Sequence, residues 1–347
     1  MTTKPTFGKQ LAPNTLNTLD KYMLITMEEP WKIIDDYLTK IPTLKIYNNS
    51  MDIDHLEPFA DSFKAFIDED FTIVGLGGGT ACDTAKYITW KMNEDFGLEL
   101  DLILIPSIIS VDAFLCSSIA VREDHKVKYI GKSNPTKIII DYEIIQEAPP
   151  YLNRAGVSDT ISIASALGDW KLERDELNGR FDDEVFKEAK QIVIDLMNAR
   201  DEIKKVSERG IKALVDGFYR EVVLCEAWGN ARPEEGSEHF LAYCLESLTG
   251  DHYIHGNLIG MNVLVSLLLQ TDYAVFSIKE IKQFFEDIKI QIKPEHQDIS
   301  YGSLRQALNH IQDYVQKQDL QYSIYNSPRL TLDKEKIDQI ISFLKNL

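Results

Sequence analysis

The residues able to do chemistry fall into two groups, far apart along the 347-residue chain. The first is Phe71-Thr-Ile-Val-Gly-Leu-Gly-Gly-Gly-Thr-Ala-Cys-Asp-Thr-Ala-Lys86. The β-branched run from Phe71 to Leu76 suits a buried parallel strand. Gly77, Gly78 and Gly79 follow, where a turn needs backbone room. From Thr80 the pattern turns helical, with Ala81, Ala85 and Ile88 on one face and Asp83 in the first turn. Strand, triple glycine and helix together aim free N–H groups and a helix dipole at a phosphate. The spacing is GxGxG rather than the dinucleotide GxGxxG, whose last glycine would stand at Thr80, and no Lys-Ser or Lys-Thr pair follows to make a P-loop.

The second group is Asp159, His239 and His255. Asp159 is expected at the start of a helix, His239 in the first turn of a helix beginning near Gly236, and His255 at the opening of the next. One carboxylate with two imidazoles leaves a divalent metal an open coordination position, the catalytic pattern rather than the closed structural one. The chemistry would be Lewis-acid polarisation of a substrate oxygen ahead of hydride transfer. On spacing alone, two histidines sixteen residues apart can equally be unrelated, and His252, three residues before His255, competes for the role.

These groups need scaffolds. Met23–Met27, Thr43–Tyr47, Phe71–Leu76, Leu102–Ile105 and Lys137–Asp141 read as strands. Helices over Glu28–Lys40 and Asp54–Ile67 alternate with them, which indicates an open, mostly parallel sheet with ligands at the strands' carboxyl ends. Ser117–Val121 and Lys126–Ile130 read as a hairpin turning at Arg122–His125. Residues 1–20 are polar and read as a loose lead-in. After Pro149-Pro150 the texture becomes wholly helical: Asp159–Leu172, Asp183–Arg200, Lys204–Cys225, Gly236–Leu248, His255–Gln270, Ser277–Ile288, Ser303–Gln316 and Asp333–Leu344. The expected architecture is an α/β domain over residues 1–150 and an all-α domain over 151–347, with a cleft between them.

Composition narrows the function. A net charge of −18 argues against a nucleic-acid or anionic-membrane surface. No stretch reaches the roughly 20 apolar residues of a membrane span, and the N-terminus has no apolar signal region. Cys82, Cys116, Cys225 and Cys244 are scattered without a CxxC pair, which suits a reducing cytoplasm.

Five segments in order carry a family resemblance. Gly77-Gly-Gly-Thr-Ala-Cys-Asp-Thr-Ala-Lys86, Ile105-Pro-Ser-Ile-Ile-Ser-Val-Asp-Ala113, Ala155-Gly-Val-Ser-Asp159, Arg232-Pro-Glu-Glu-Gly-Ser-Glu-His239 and His255-Gly256 resemble the motifs of the iron-containing (group III) alcohol dehydrogenase and dehydroquinate synthase superfamily. Gly168-Asp169-Trp170 and the Gly-Ser-Glu-His run resemble its sn-glycerol-1-phosphate dehydrogenase branch. The chain departs from that branch at Val111, where a histidine is usual, at Cys116-Ser117, where Ser-Pro is usual, and at Asn257, where a glutamate is usual.

The resemblance implies a dehydroquinate synthase-like fold with a Rossmann-like N-terminal domain. It implies NAD(H) or NADP(H) held by Gly77, Gly78, Gly79, Thr80, Asp83, Ser107 and Ser110. It implies one divalent metal (zinc, with nickel and iron as alternatives) on Asp159, His239 and His255, and catalytic roles for Asp112 and Lys86. Arg232 is a candidate phosphate contact or a surface residue, and Asp169 and Trp170 are packing residues behind the ligands. The implied reaction is reduction of a small keto-alcohol phosphate such as dihydroxyacetone phosphate, in a homo-oligomer. The other readings are a polyol or biosynthetic alcohol dehydrogenase, a dehydroquinate synthase-like cyclase, and a nucleotide-binding relative without turnover.

Overall fold

The computed structural model describes residues 2–123 and 126–347, and these form two compact units, Met1–Asn153 and Arg154–Leu347. The Pro149-Pro150 pair lies a few residues before that division, at the start of a helix.

The first unit runs β1 (Thr6–Gly8), α1 (Leu11–Leu16), β2 (Tyr22–Thr26), α2 (Glu28–Ile34), β3 (Leu44–Tyr47), α3 (Ile53–Asp61), β4 (Thr72–Gly77), α4 (Gly79–Phe96), β5 (Asp101–Pro106), β6 (Ser118–Glu123), β7 (Lys126–Lys132), β8 (Lys137–Asp141) and α5 (Tyr142–Glu147). Among the described residues a six-stranded sheet forms in the order β1-β8-β5-β4-β2-β3, every pairing parallel. The chain leaves β2 toward β3 and leaves β4 toward β5, so the order reverses between β2 and β4. That is where an open α/β sheet offers its ligand crevice. β6 and β7 form a separate antiparallel pair. The turn expected at Arg122–His125 includes Asp124 and His125, which lie outside the described residues.

Side chains two apart share a sheet face. Tyr22 and Leu24, Val74 and Leu76, Ile103 and Ile105, and Ile139 build one core with Ala12 and Leu16 of α1, Ile34 of α2 and Ile144 of α5. The opposite face receives α4. There Gly75 matters, because a Cβ on it would stand 2.9 Å from the Ala85 Cβ and 3.0 Å from the Ala81 carbonyl.

The loose lead-in is corrected. Thr6–Gly8 is an edge strand paired to Ile139–Asp141, and Asp141 accepts hydrogen bonds from Ala12 N–H at 2.9 Å and Glu143 N–H at 3.2 Å, anchoring α1 and α5 together. A three-residue strand is too short to show a period, and its partner comes more than a hundred residues later. The Glu28–Lys40 helix stops at Ile34 and tightens into a 3-10 turn over Asp35–Tyr37, after which Thr39 N–H donates to the Asn17 side chain.

Helix α6 (Pro150–Ile161) leads into the second unit, followed by α7 (Ile163–Leu177), α8 (Asp183–Asn198), α9 (Arg200–Lys205), α10 (Glu208–Trp228), α11 (Ser237–Thr249), α12 (His255–Gln270), α13 (Ile278–Ile288), α14 (Tyr301–Lys317) and α15 (Lys334–Lys345). The central member is α12, apolar on nearly every side, with Gly256–Leu267 buried throughout. A helix of that kind must be enclosed by others, and α11, α7 and α13 pack against it. Two expected helices divide. Lys204–Cys225 breaks at Val206, whose φ of 51° ends α9 before Ser207 caps α10. Asp159–Leu172 breaks at Ser162, between α6 and α7.

Candidate metal centre and nucleotide cradle

The break at Ser162 changes where Asp159 sits. Asp159 is in the last turn of α6, not at a helix start, and the Ser162 hydroxyl donates back to its carbonyl. His239 stands in the first turn of α11 and His255 opens α12. Glycines let these three helices meet. A Cβ on Gly256 would run into the Ala155 carbonyl, and one on Gly260 would come within 2.9 Å of the Ser158 hydroxyl. The α12 backbone therefore lies directly on α6, one turn from Asp159.

Asp159 Oδ1 lies 3.5 Å from His239 Nε2 and 3.2 Å from His255 Nε2, and one ligand atom from each residue falls within 4.8 Å of the others. Bond lengths near 2.0–2.2 Å in a tetrahedral site require ligand-to-ligand edges of about 3.3–3.5 Å. The two edges from Asp159 fall near that spacing, and the edge between the two imidazoles lies within 4.8 Å. Burial opposes ionisation of Asp159, but the two imidazoles outweigh it and hold the carboxyl below its usual range. His239 is raised despite its burial, by its bonds to Asp159 and Glu238. These are the mutual responses of a carboxylate and the imidazoles it touches. His252, in the exposed loop before α12, is not part of the group.

Behind the ligands lie carboxylates whose partners the sequence did not disclose. Glu238 is fully buried and accepts from Gly236 N–H at 2.6 Å, Ser165 Oγ at 2.7 Å and His239 Nδ1 at 3.1 Å. Asp169, also fully buried, accepts from Ser237 N–H at 2.7 Å and Ile324 N–H at 2.8 Å, tying the start of α11 to the segment after α14. Burial raises Asp169 to about 6, with Arg232 opposing the rise. Arg232 is buried, not a surface residue. It is 2% exposed, donates to the carbonyls of Tyr322 and Glu235, and pairs with Glu173 at 3.5 Å. Trp170 packs within an aromatic cluster of Phe181, Phe186 and Trp228.

In the first unit, Gly77 ends β4, Gly78 is the N-cap of α4 and Gly79 its first residue, and no side chain caps this helix. The first-turn N–H groups therefore stay open for an anion. The glycines are required by packing as well, since a Cβ would come within 2.7 Å of Ala81 at Gly77, 3.0 Å of Ile108 at Gly78 and 3.1 Å of Val111 at Gly79. Thr80 and Ser110 are half-buried beside this turn, and Ser107 N–H donates to the Gly77 carbonyl at 2.9 Å.

Asp83 and Lys86 turn inward instead. Lys86 is fully buried, pairs with Asp83 at 2.6 Å and donates to the carbonyls of Cys116 at 3.1 Å and Ser118 at 2.6 Å. Its two hydrogen bonds to those carbonyls tie α4 to the segment entering β6. Asp83 is that lysine's counter-charge. The Asp112 carboxylate accepts from the Cys116 thiol at 2.6 Å while its carbonyl accepts from Leu115 N–H at 2.7 Å, so it is engaged in its own turn.

Residues 32–149 match the family described as iron-containing alcohol dehydrogenase. The chain is 28% identical over 257 residues to a glycerol-1-phosphate dehydrogenase (NAD(P)+) of Methanococcus aeolicus, covering 71% of this chain and 70% of that one. It is 28% identical over 221 residues to the enzyme of the same name from Thermoplasma volcanium, covering 64% and 60%. Over residues 32–149 the chain resembles the iron-containing alcohol dehydrogenases. Its fold matches that of an iron-containing alcohol dehydrogenase from Corynebacterium glutamicum with a TM-score of 0.70 at 14% identity, over 98% of this chain and 94% of that one. The match is one of fold.

Proposed function

We propose that this chain is a metal-dependent NAD(P)(H) oxidoreductase that interconverts dihydroxyacetone phosphate and sn-glycerol 1-phosphate. The observation that carries the reading is the convergence of ligand atoms from Asp159, His239 and His255 to within 4.8 Å of one another. Relatives named glycerol-1-phosphate dehydrogenase supply the substrate class. A divalent ion held there would supply Lewis-acid polarisation of the substrate oxygen. Zinc is the ion we assign, with nickel and iron accepting the same donors.

The chain's own contributions follow from its residues. Gly77–Gly79 and the uncapped start of α4 bind the cofactor pyrophosphate through backbone N–H groups and the helix dipole. Asp159 and His239 are nearly dry, which strengthens their electrostatic grip, while His255 is one-third exposed and marks the open side of the site. We place the protein in the cytoplasm as an assembly of identical subunits.

The deciding experiment is oxidation of NADH and of NADPH by metal-reconstituted protein, with dihydroxyacetone phosphate and dihydroxyacetone compared side by side. Turnover on the phosphate alone is expected. Turnover confined to dihydroxyacetone would replace the assignment with a polyol dehydrogenase.

A further inference from the structure

We infer that Glu238 is a positioning residue for the metal centre, one that acts on the ion through His239 as a buried negative charge. The inference rests on the metal reading of Asp159, His239 and His255. Glu238 is 0% exposed, and among the described residues its ion-pair partner is His239, at 3.1 Å from Nδ1. A buried carboxylate without a Lys or Arg partner is costly unless positive charge reaches it another way.

The hydrogen bonding fixes the direction of that charge. One carboxylate oxygen accepts from Gly236 N–H at 2.6 Å and from His239 Nδ1, and the other accepts from Ser165 Oγ at 2.7 Å. The oxygen beside Nδ1 already accepts from Gly236 N–H, so Nδ1 carries the hydrogen between them and Nε2 is the ring atom left facing Asp159 and available to an ion. A carboxylate behind a ligand imidazole raises its basicity and locks its ring orientation. With Asp159 in direct contact and Glu238 one ring removed, two negative charges offset the two positive charges of a divalent ion. Asn262 Nδ2 also donates to the Glu238 carbonyl at 3.0 Å, which fixes the backbone of this residue from α12.

The Glu238→Gln variant isolates the charge. A glutamine can keep its amide oxygen on Gly236 N–H and His239 Nδ1 and donate its amide hydrogen to Ser165 Oγ, so the hydrogen-bond geometry survives. The experiment measures the affinity of wild type and E238Q for Zn2+ alone, by competition with a chromogenic chelator at fixed pH. It also records the visible bands of the Co2+-loaded forms and the melting temperature of each apo protein. Metal affinity about 10–100-fold weaker in E238Q, shifted Co2+ bands and an unchanged apo melting temperature are expected. Wild-type affinity with unshifted bands would overturn the inference while leaving the metal site standing. A parallel fall in apo melting temperature with unshifted bands would reduce Glu238 to scaffold and overturn it as well. Absence of metal binding by wild type would overturn the metal reading itself, and this inference with it.

Discussion

At the scale of single residues, the proposed ligand set lets metal binding be tested apart from stability. His255 is one-third exposed and lies at a helix start, whereas His239 and Asp159 are enclosed. Replacing any of the three with Ala is expected to reduce bound metal to background by elemental analysis. His255→Ala should leave the apo melting temperature nearly unchanged. Full occupancy in any of these variants would remove that residue from the site. Lys86 gives the opposite expectation. Removing it leaves Asp83 as an unpaired buried charge, so Lys86→Ala should cost about 3–5 kcal/mol in denaturant unfolding. A variant of wild-type stability whose only defect is in kcat would return Lys86 to a catalytic role.

At the scale of elements, two glycine contacts decide whether the sites form. Gly256 lets α12 rest on the Ala155 carbonyl of α6. Gly256→Ala must push these helices apart, costing about 1–3 kcal/mol as overpacking and moving His255 away from Asp159. Retained metal affinity in that variant would show that the helices tolerate the wider separation. Gly78 is the N-cap of α4, with Ile108 at 3.0 Å from the position of a Cβ. Gly78→Val should abolish NAD(H) binding in calorimetric titration and leave metal content intact. Unchanged NAD(H) affinity would put the nucleotide elsewhere. The glycine turn and the helices starting at His239 and His255 were legible because glycine runs and long helical periods are local signals. The start of α6 and the break at Ser162 were not, because a single serine inside an apolar run does not announce a helix end.

At the scale of the molecule, the second unit carries a buried acid that links parts distant in sequence. Asp169 joins α7 to the start of α11 and to Ile324, and burial raises it from 3.8 to about 6. Between those values the folded protein keeps a proton that the unfolded chain has lost. This residue's contribution to stability therefore falls as pH rises through the window and is constant above it. The stability difference between wild type and Asp169→Asn, followed by urea unfolding from pH 4 to pH 7, should shift in the variant's favour as pH rises. A difference independent of pH would mean that Asp169 titrates normally.

The sequence by itself determined the parallel sheet, the glycine-rich turn at the start of α4, the helical second half and the identity of the three ligand candidates. Each of these is written in short-range pattern: β-branched runs, adjacent glycines, helical periodicity and residue type. Only the tertiary structure decided which polar groups serve the sites and which serve the fold. Lys86, Asp83 and Arg232 read as exposed candidates in one dimension, yet in the fold they are buried, with Lys86 paired to Asp83 and both cations donating to carbonyls distant in sequence. Glu238 looks like a bystander beside a histidine, yet it holds that histidine's ring. A charge takes its role from what surrounds it after burial, and those neighbours come from helices that meet only when the chain has folded.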